Sequence, residues 1–169
     1  MTMRRVLAIA VLAASVAVWT ASASAVNSPR VIRLLDAPPG IDLPMGTFDF
    51  NQPPVGGDQF AFTHTLYRWA GTTKGARVGH LHVVGTFVTG FGPRFTHHAL
   101  MLFDAQAFLP GGSVMAEGYG GLNPDGPTRL TLPVIGGTGI YANARGQIKV
   151  RDLGNGNINK TSIAIHLLP

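Results

Sequence analysis

The sequence predicts an all-β fold, an eight-stranded antiparallel up-and-down β-barrel, and three observations carry the prediction. The 169 residues include 22 glycines and 12 prolines, a frequency that a helix bundle does not tolerate, because each costs roughly 1 to 3 kcal/mol in a helix interior. Short alternating or apolar runs recur from residue 60 onward, separated by clusters rich in glycine, proline and asparagine. The spacing leaves no room for the crossover helices of a parallel sheet, so neighbouring runs are expected to pair antiparallel.

The first element is a leader. Met1–Arg5 is a short positive start, Val6–Trp19 is almost entirely apolar, and Ala23-Ser24-Ala25 supplies a small-x-small cleavage site. That is the layout of a secretory signal peptide, here residues 1–25, and the apolar run falls short of the roughly 20 residues that span a bilayer. The product is therefore expected to be secreted or extracytoplasmic. Residues 26–56 form a proline-rich lead with Pro38-Pro39-Gly40, Pro44 and Pro53-Pro54. Such density of missing donors permits at most a short strand around Val31–Leu35. Residues 57–169 are expected to form the barrel proper. Its strands are expected at Phe60–Trp69, Gly79–Val88, Thr96–Phe103, Ser113–Tyr119, Arg129–Val134, Gly146–Arg151 and Thr161–Leu168. Turns are expected between them, including Gly136-Gly137-Thr138-Gly139. With one strand from the lead the total is eight, and a barrel of that size holds one small ligand or fills with its own side chains.

Composition removes several function classes. The formal charge of +5 arises from a scarcity of acids and from no Lys/Arg run of the kind that marks a nucleic-acid face. Loss of Arg4 and Arg5 with the leader takes +5 to +3. Absence of cysteine excludes disulfides, thiolate metal sites and cysteine nucleophiles. A Gly-x-Ser-x-Gly elbow is missing, which leaves a serine triad without support. The glycine-rich segment 136–139 leads into strand-like Gln147-Ile148-Lys149-Val150 and not into the helix that a phosphate cradle requires.

Several segments together resemble a known family. They are Gly57-Asp58, Phe62-Thr63, Leu66-Tyr67, Gly79, Gly85, Glu117-Gly118-Tyr119, Val134 through Tyr141, and Arg145-Gly146-Gln147-Ile148-Lys149-Val150. In order and rough spacing they resemble the barrel of plant allene oxide cyclases and dirigent proteins, including bacterial secreted relatives. The resemblance implies an apolar lumen that binds a hydrophobic small molecule and directs its cyclisation or stereoselective coupling. It implies no metal or organic cofactor, a homotrimer as the common assembly, and a partner oxidase in the dirigent case. The sequence departs from both patterns. The cyclase acid and asparagine expected near Arg33–Leu35 are missing, as is the cyclase cysteine, and Ile140 stands where the dirigent pattern has a carboxylate. A non-catalytic, lipocalin-like carrier is the alternative reading of the same lumen.

The candidate site residues follow from strand parity and from this resemblance. Ser113, Met115, Glu117 and Tyr119 share one strand face, and if that face is the lumen, Glu117 is a desolvated acid. Asp104 shares parity with His98, Leu100 and Leu102 and is a second candidate acid. The dirigent resemblance carries Arg145 into the lumen, whereas simple alternation groups it with outward Gln147, Lys149 and Arg151; a bulge near Gly146 would decide for the lumen. Thus Glu117, Arg145 and Asp104 are the catalytic candidates, and Tyr141, Tyr119, His82 and Tyr67 the ligand-binding ones. His80 and His82 share a face and His97-His98 begin another run, but no carboxylate adjoins them in sequence, and no metal site is assigned.

Overall fold

Eight strands follow one another in chain order: β1 (Arg30–Met45), β2 (Gln59–Trp69), β3 (Lys74–Phe87), β4 (Ala99–Leu109), β5 (Gly112–Leu122), β6 (Arg129–Gly139), β7 (Gly146–Asp152) and β8 (Thr161–Leu167). Each pairs antiparallel with its sequence neighbours, and β1 also pairs with β8, which closes the barrel. The arrangement is that of a computed structural model, which describes residues 29–49, 51–71, 73–90, 99–122, 129–153 and 160–169. Helices are absent among the described residues.

Period-two alternation decides what fills the barrel. On β4 the residues Met101, Phe103, Ala105 and Ala107 are buried, while Asp104 between them is exposed. Leu34 and Ile163 meet across β1 and β8, and Ile148 and Ile165 across β7 and β8. Each large side chain taken out of water here contributes about 1.5 to 3 kcal/mol. The inner wall of β5 is small: Ala116, Gly118 and Gly120 lie opposite Ala105, Phe103 and Met101. A side chain at Gly120 would press on Leu130 and Phe103, so these glycines let the neighbouring strands pack their larger groups.

Three expectations need correction. β1 extends to Met45, well past the short strand expected at Val31–Leu35. Beyond Asp36 it pairs, among the described residues, with β2 alone, so Pro38, Pro39 and Pro44 disrupt no second ladder there. The Pro38–Pro39 peptide is cis. Second, Gly136–Gly139 belongs to β6 and not to a turn: Thr138 pairs with Ser113 and Gly139 with Gly112. A Cβ at Gly137 would run into the carbonyl oxygens of Ser113 and Tyr141, so the glycine serves close strand approach. The turn itself follows at Ile140–Asn143, with Asn143 at a positive φ of 64°. Third, β4 runs on to Leu109, six residues beyond the expected end at Phe103; Thr96–His98 lie outside the described residues.

Candidate functional site

The inward positions of β2 are Phe60, Phe62, His64 and Leu66, so alternation sets one imidazole in an apolar row. The opposing strand β1 brings two carboxylates to it. Asp36 is the register partner of Leu66, Asp42 that of Phe62, and Gly40 stands directly opposite His64. This depends on the irregularity in β1: Ala37 and Gly40 face the consecutive residues Thr65 and His64, so Pro38 and Pro39 are extra residues. Thr65 Oγ1 donates to the Pro39 carbonyl at 3.0 Å and ties the extra loop down.

As a result His64 is held at both ring nitrogens. Its Nδ1 lies 3.0 and 3.1 Å from the two oxygens of Asp36, and its Nε2 lies 3.1 Å from Asp42 Oδ1. The side chain of Asp36 is 8% exposed and that of His64 18%, whereas Asp42 is 56% exposed. The Phe62 ring packs on the imidazole with centroids 4.5 Å apart. Gly40 has no side chain to spare, because a Cβ there would collide with His64 Cδ2.

A neutral imidazole has one N–H and can satisfy one carboxylate only; two carboxylates on the two nitrogens call for the imidazolium. The hydrogen bond that His64 donates to Asp36 is the largest influence and raises the His64 pKa above its ordinary 6.5. Burial opposes it, and the charges of Asp36 and then Asp42 add to the rise. These influences favour the charged ring on the inner wall, held on one side by a buried carboxylate and on the other by an exposed one. With Asp42 largely in solvent, Nε2 is the ring nitrogen whose partner an oxygen of a bound molecule could replace, an arrangement able to stabilise developing negative charge or to act as a general acid.

The residues expected from sequence lie elsewhere. Asp104 and Glu117 are register partners on β4 and β5, and both are exposed on the outer face. The expectation that Ser113, Met115, Glu117 and Tyr119 face the lumen is corrected: the inner face of β5 carries Val114, Ala116 and Gly118, and Tyr119 is 64% exposed. The shared parity holds, but the inner face is the opposite one, where the small residues Ala116 and Gly118 lie. His82 is also exposed and outward, with its ring 4.9 Å from those of His80 and Phe108. Among the described residues no group of three His, Cys, Asp or Glu could hold a metal ion. His97 and His98 lie outside the described residues.

Arg145 precedes β7 and stays exposed, donating from Nη1 to the carbonyls of Ile135 at 3.0 Å and Ala144 at 2.9 Å. It braces the β6–β7 turn, and Gly146 does not shift it inward. Tyr67 lies on the outer face beneath the Lys74 ammonium, 3.7 Å from the ring centroid. Tyr141 is buried at the barrel end where the β6–β7 turn lies, with the Arg30 guanidinium 5.7 Å from its ring centroid. The seven candidates are thus not brought together around one cavity. What sequence reasoning missed is Asp36, Asp42 and His64. The signal for His64 was its parity with Phe60, Phe62 and Leu66, and Asp36 follows directly on the stretch in which an acid was sought.

No protein-family model and no curated protein matches the sequence. Solved structures do match in fold. A pyocyanin demethylase superposes with a TM-score of 0.58 at 19% identity, over 82% of this chain and 99% of that one. The exo-specific intermolecular Diels-Alderase AbnU gives 0.57 at 16% identity, over 83% and 98%. The pterocarpan synthase dirigent protein GePTS1 gives 0.56 at 10% identity, over 83% and 87%. The chain therefore has the barrel fold found in dirigent proteins and in cyclase barrels, in agreement with the architecture expected from its sequence.

Proposed function

We propose that this protein is an exported barrel that binds an apolar, conjugated or aromatic small molecule in its lumen and directs its cyclisation or coupling. The observation that carries the reading is the Asp36–His64–Asp42 array on an otherwise largely apolar inner wall. A carrier needs no half-buried ionic array there, and a barrel that only fills itself gains nothing from two carboxylates on one imidazole, since charge taken out of water costs free energy unless fully paired. The likeness to a Diels-Alderase and a dirigent protein supports the same reading at the level of fold, and the leader-like residues 1–25 support export.

The chemistry proposed is positional. The walls hold the substrate folded close to its reactive conformation, and the His64 imidazolium donates from Nε2 to a carbonyl or phenolic oxygen on which negative charge grows. Asp36 keeps the ring oriented and charged. No residue needs to form a covalent intermediate. Glu117, Asp104 and Arg145 have no lumenal position from which to share in it.

Native mass spectrometry of protein purified from its own host tests this. A retained apolar molecule that is converted on incubation, in wild type but not in His64→Gln, is the expected result. A retained molecule recovered unchanged would establish the carrier instead.

A further inference from the structure

A second site lies in the barrel wall, apart from His64. Residues Arg30–Arg33 of β1 pair with Leu167–Ala164 of β8, but pairing of β1 with β2 begins only at Leu34, opposite Arg68. Trp69 ends β2 and Lys74 begins β3, and neither strand pairs with Arg30–Arg33. The wall is therefore open between the start of β1 and the β2–β3 hairpin. The gap is a cleft of about 580 Å³, floored by apolar groups that include Leu34, Val78 and Leu109.

Its polar character is one-sided. Arg30, Arg33 and Arg68 all line the cleft, and among the described residues no acidic one does. None of the three makes an ion pair among the described residues. The three guanidinium groups share the lining of one cleft, and all three are exposed, so none is part of the core. Two aromatic residues, Trp69 and Tyr141, complete the lining, and Arg30 already sits over the Tyr141 ring. Guanidinium pairs carboxylate and phosphate in a two-pronged fashion, and it stacks on aromatic faces.

We infer that this cleft binds a small anion carried on an aromatic body, with the charged group taken by Arg30, Arg33 and Arg68 and the ring seated against Trp69 and Tyr141. The volume suits a ligand of one or two fused rings. The site does not involve His64 and does not depend on the lumenal reaction.

The chain contains two tryptophans, so full-length protein carrying Trp19→Phe reports from Trp69 alone. Titration with 1-naphthoate is expected to change Trp69 fluorescence saturably, with affinity that falls as salt rises. Arg68→Gln or Arg33→Gln should weaken binding about tenfold, while His64→Gln and the outward Lys149→Gln leave it unchanged. 1-Naphthyl phosphate distinguishes a phosphoryl from a carboxylate ligand, and either one binding supports the site. Equal binding of the neutral 1-naphthalenemethanol, equal loss with Lys149→Gln, or no saturable binding of either anion at millimolar concentration would overturn it. Loss of naphthoate binding in His64→Gln would instead move the ligand to the lumen. Unchanged melting temperatures in the arginine variants separate a binding loss from misfolding.

Discussion

Gly40 of β1 stands opposite His64 of β2, and the imidazole occupies the space that a side chain at residue 40 would fill. This relationship makes the array around His64 possible. The two extra residues Pro38 and Pro39 bring Gly40 to that position, and the carboxylates of Asp36 and Asp42 flank it on the same face.

Gly40→Ala is therefore expected to expel the ring from its place. The cost should be about 1 to 3 kcal/mol, the usual range for overfilling a packed site, measured by denaturant unfolding. The His64 titration, followed by NMR, should move back towards 6.5, its ordinary value. An alanine variant as stable as wild type, with an unaltered titration, would show that the strand simply moves aside.

The barrel itself was legible because it rests on period-two alternation and on turn residues, both local properties of the chain. Met101, Phe103, Ala105 and Ala107 announce a half-buried strand on their own. The site was less legible for two physical reasons. Alternation distinguishes two faces but does not name the inner one, so it leaves open which side of β5 carries Glu117 and Tyr119. The pairing of Asp36 and Asp42 with His64 depends on an irregularity beside two prolines, which local reasoning takes as the end of a strand. The residues 36, 42 and 64 become neighbours only when register is known.

Stability should depend on pH through His64. Its folded pKa is raised above the unfolded value near 6.5, so the charged array stabilises the fold fully below that pH. The contribution is lost as pH rises from about 6.5 through the higher folded value. Chemical unfolding of wild type and His64→Gln across pH 5 to about 9 should show the wild-type advantage shrinking as pH rises. An advantage that grows with pH would mean that the ring is held neutral.

The two carboxylates should contribute unequally. Asp36 is nearly buried and Asp42 is largely in solvent. Asp36→Asn removes a charged partner from a desolvated hydrogen bond and should cost about 1.5 to 3 kcal/mol. Asp42→Asn should cost no more than about 1 kcal/mol, the range for exposed pairs. In NMR titrations the Asp36 variant should lower the His64 pKa more than the Asp42 variant, since Asp36 is the larger cause of its rise. The reverse order would assign the ring's charge to Asp42.

On the outer surface, Asp104 and Glu117 face each other directly across β4 and β5. Like charges at opposed positions of an antiparallel pair destabilise it, by about 0.2 to 1 kcal/mol. Glu117→Gln should therefore raise the melting temperature slightly at low salt, and the gain should fade as added salt screens the pair. Because both side chains point away from the lumen, the same variant should leave any ligand retained inside the barrel unaffected, as read by native mass spectrometry. A loss of stability in Glu117→Gln would mean that the two acids share a bound proton or cation, whereas a loss of the retained ligand would place their face against the site after all, through the packing of a second copy.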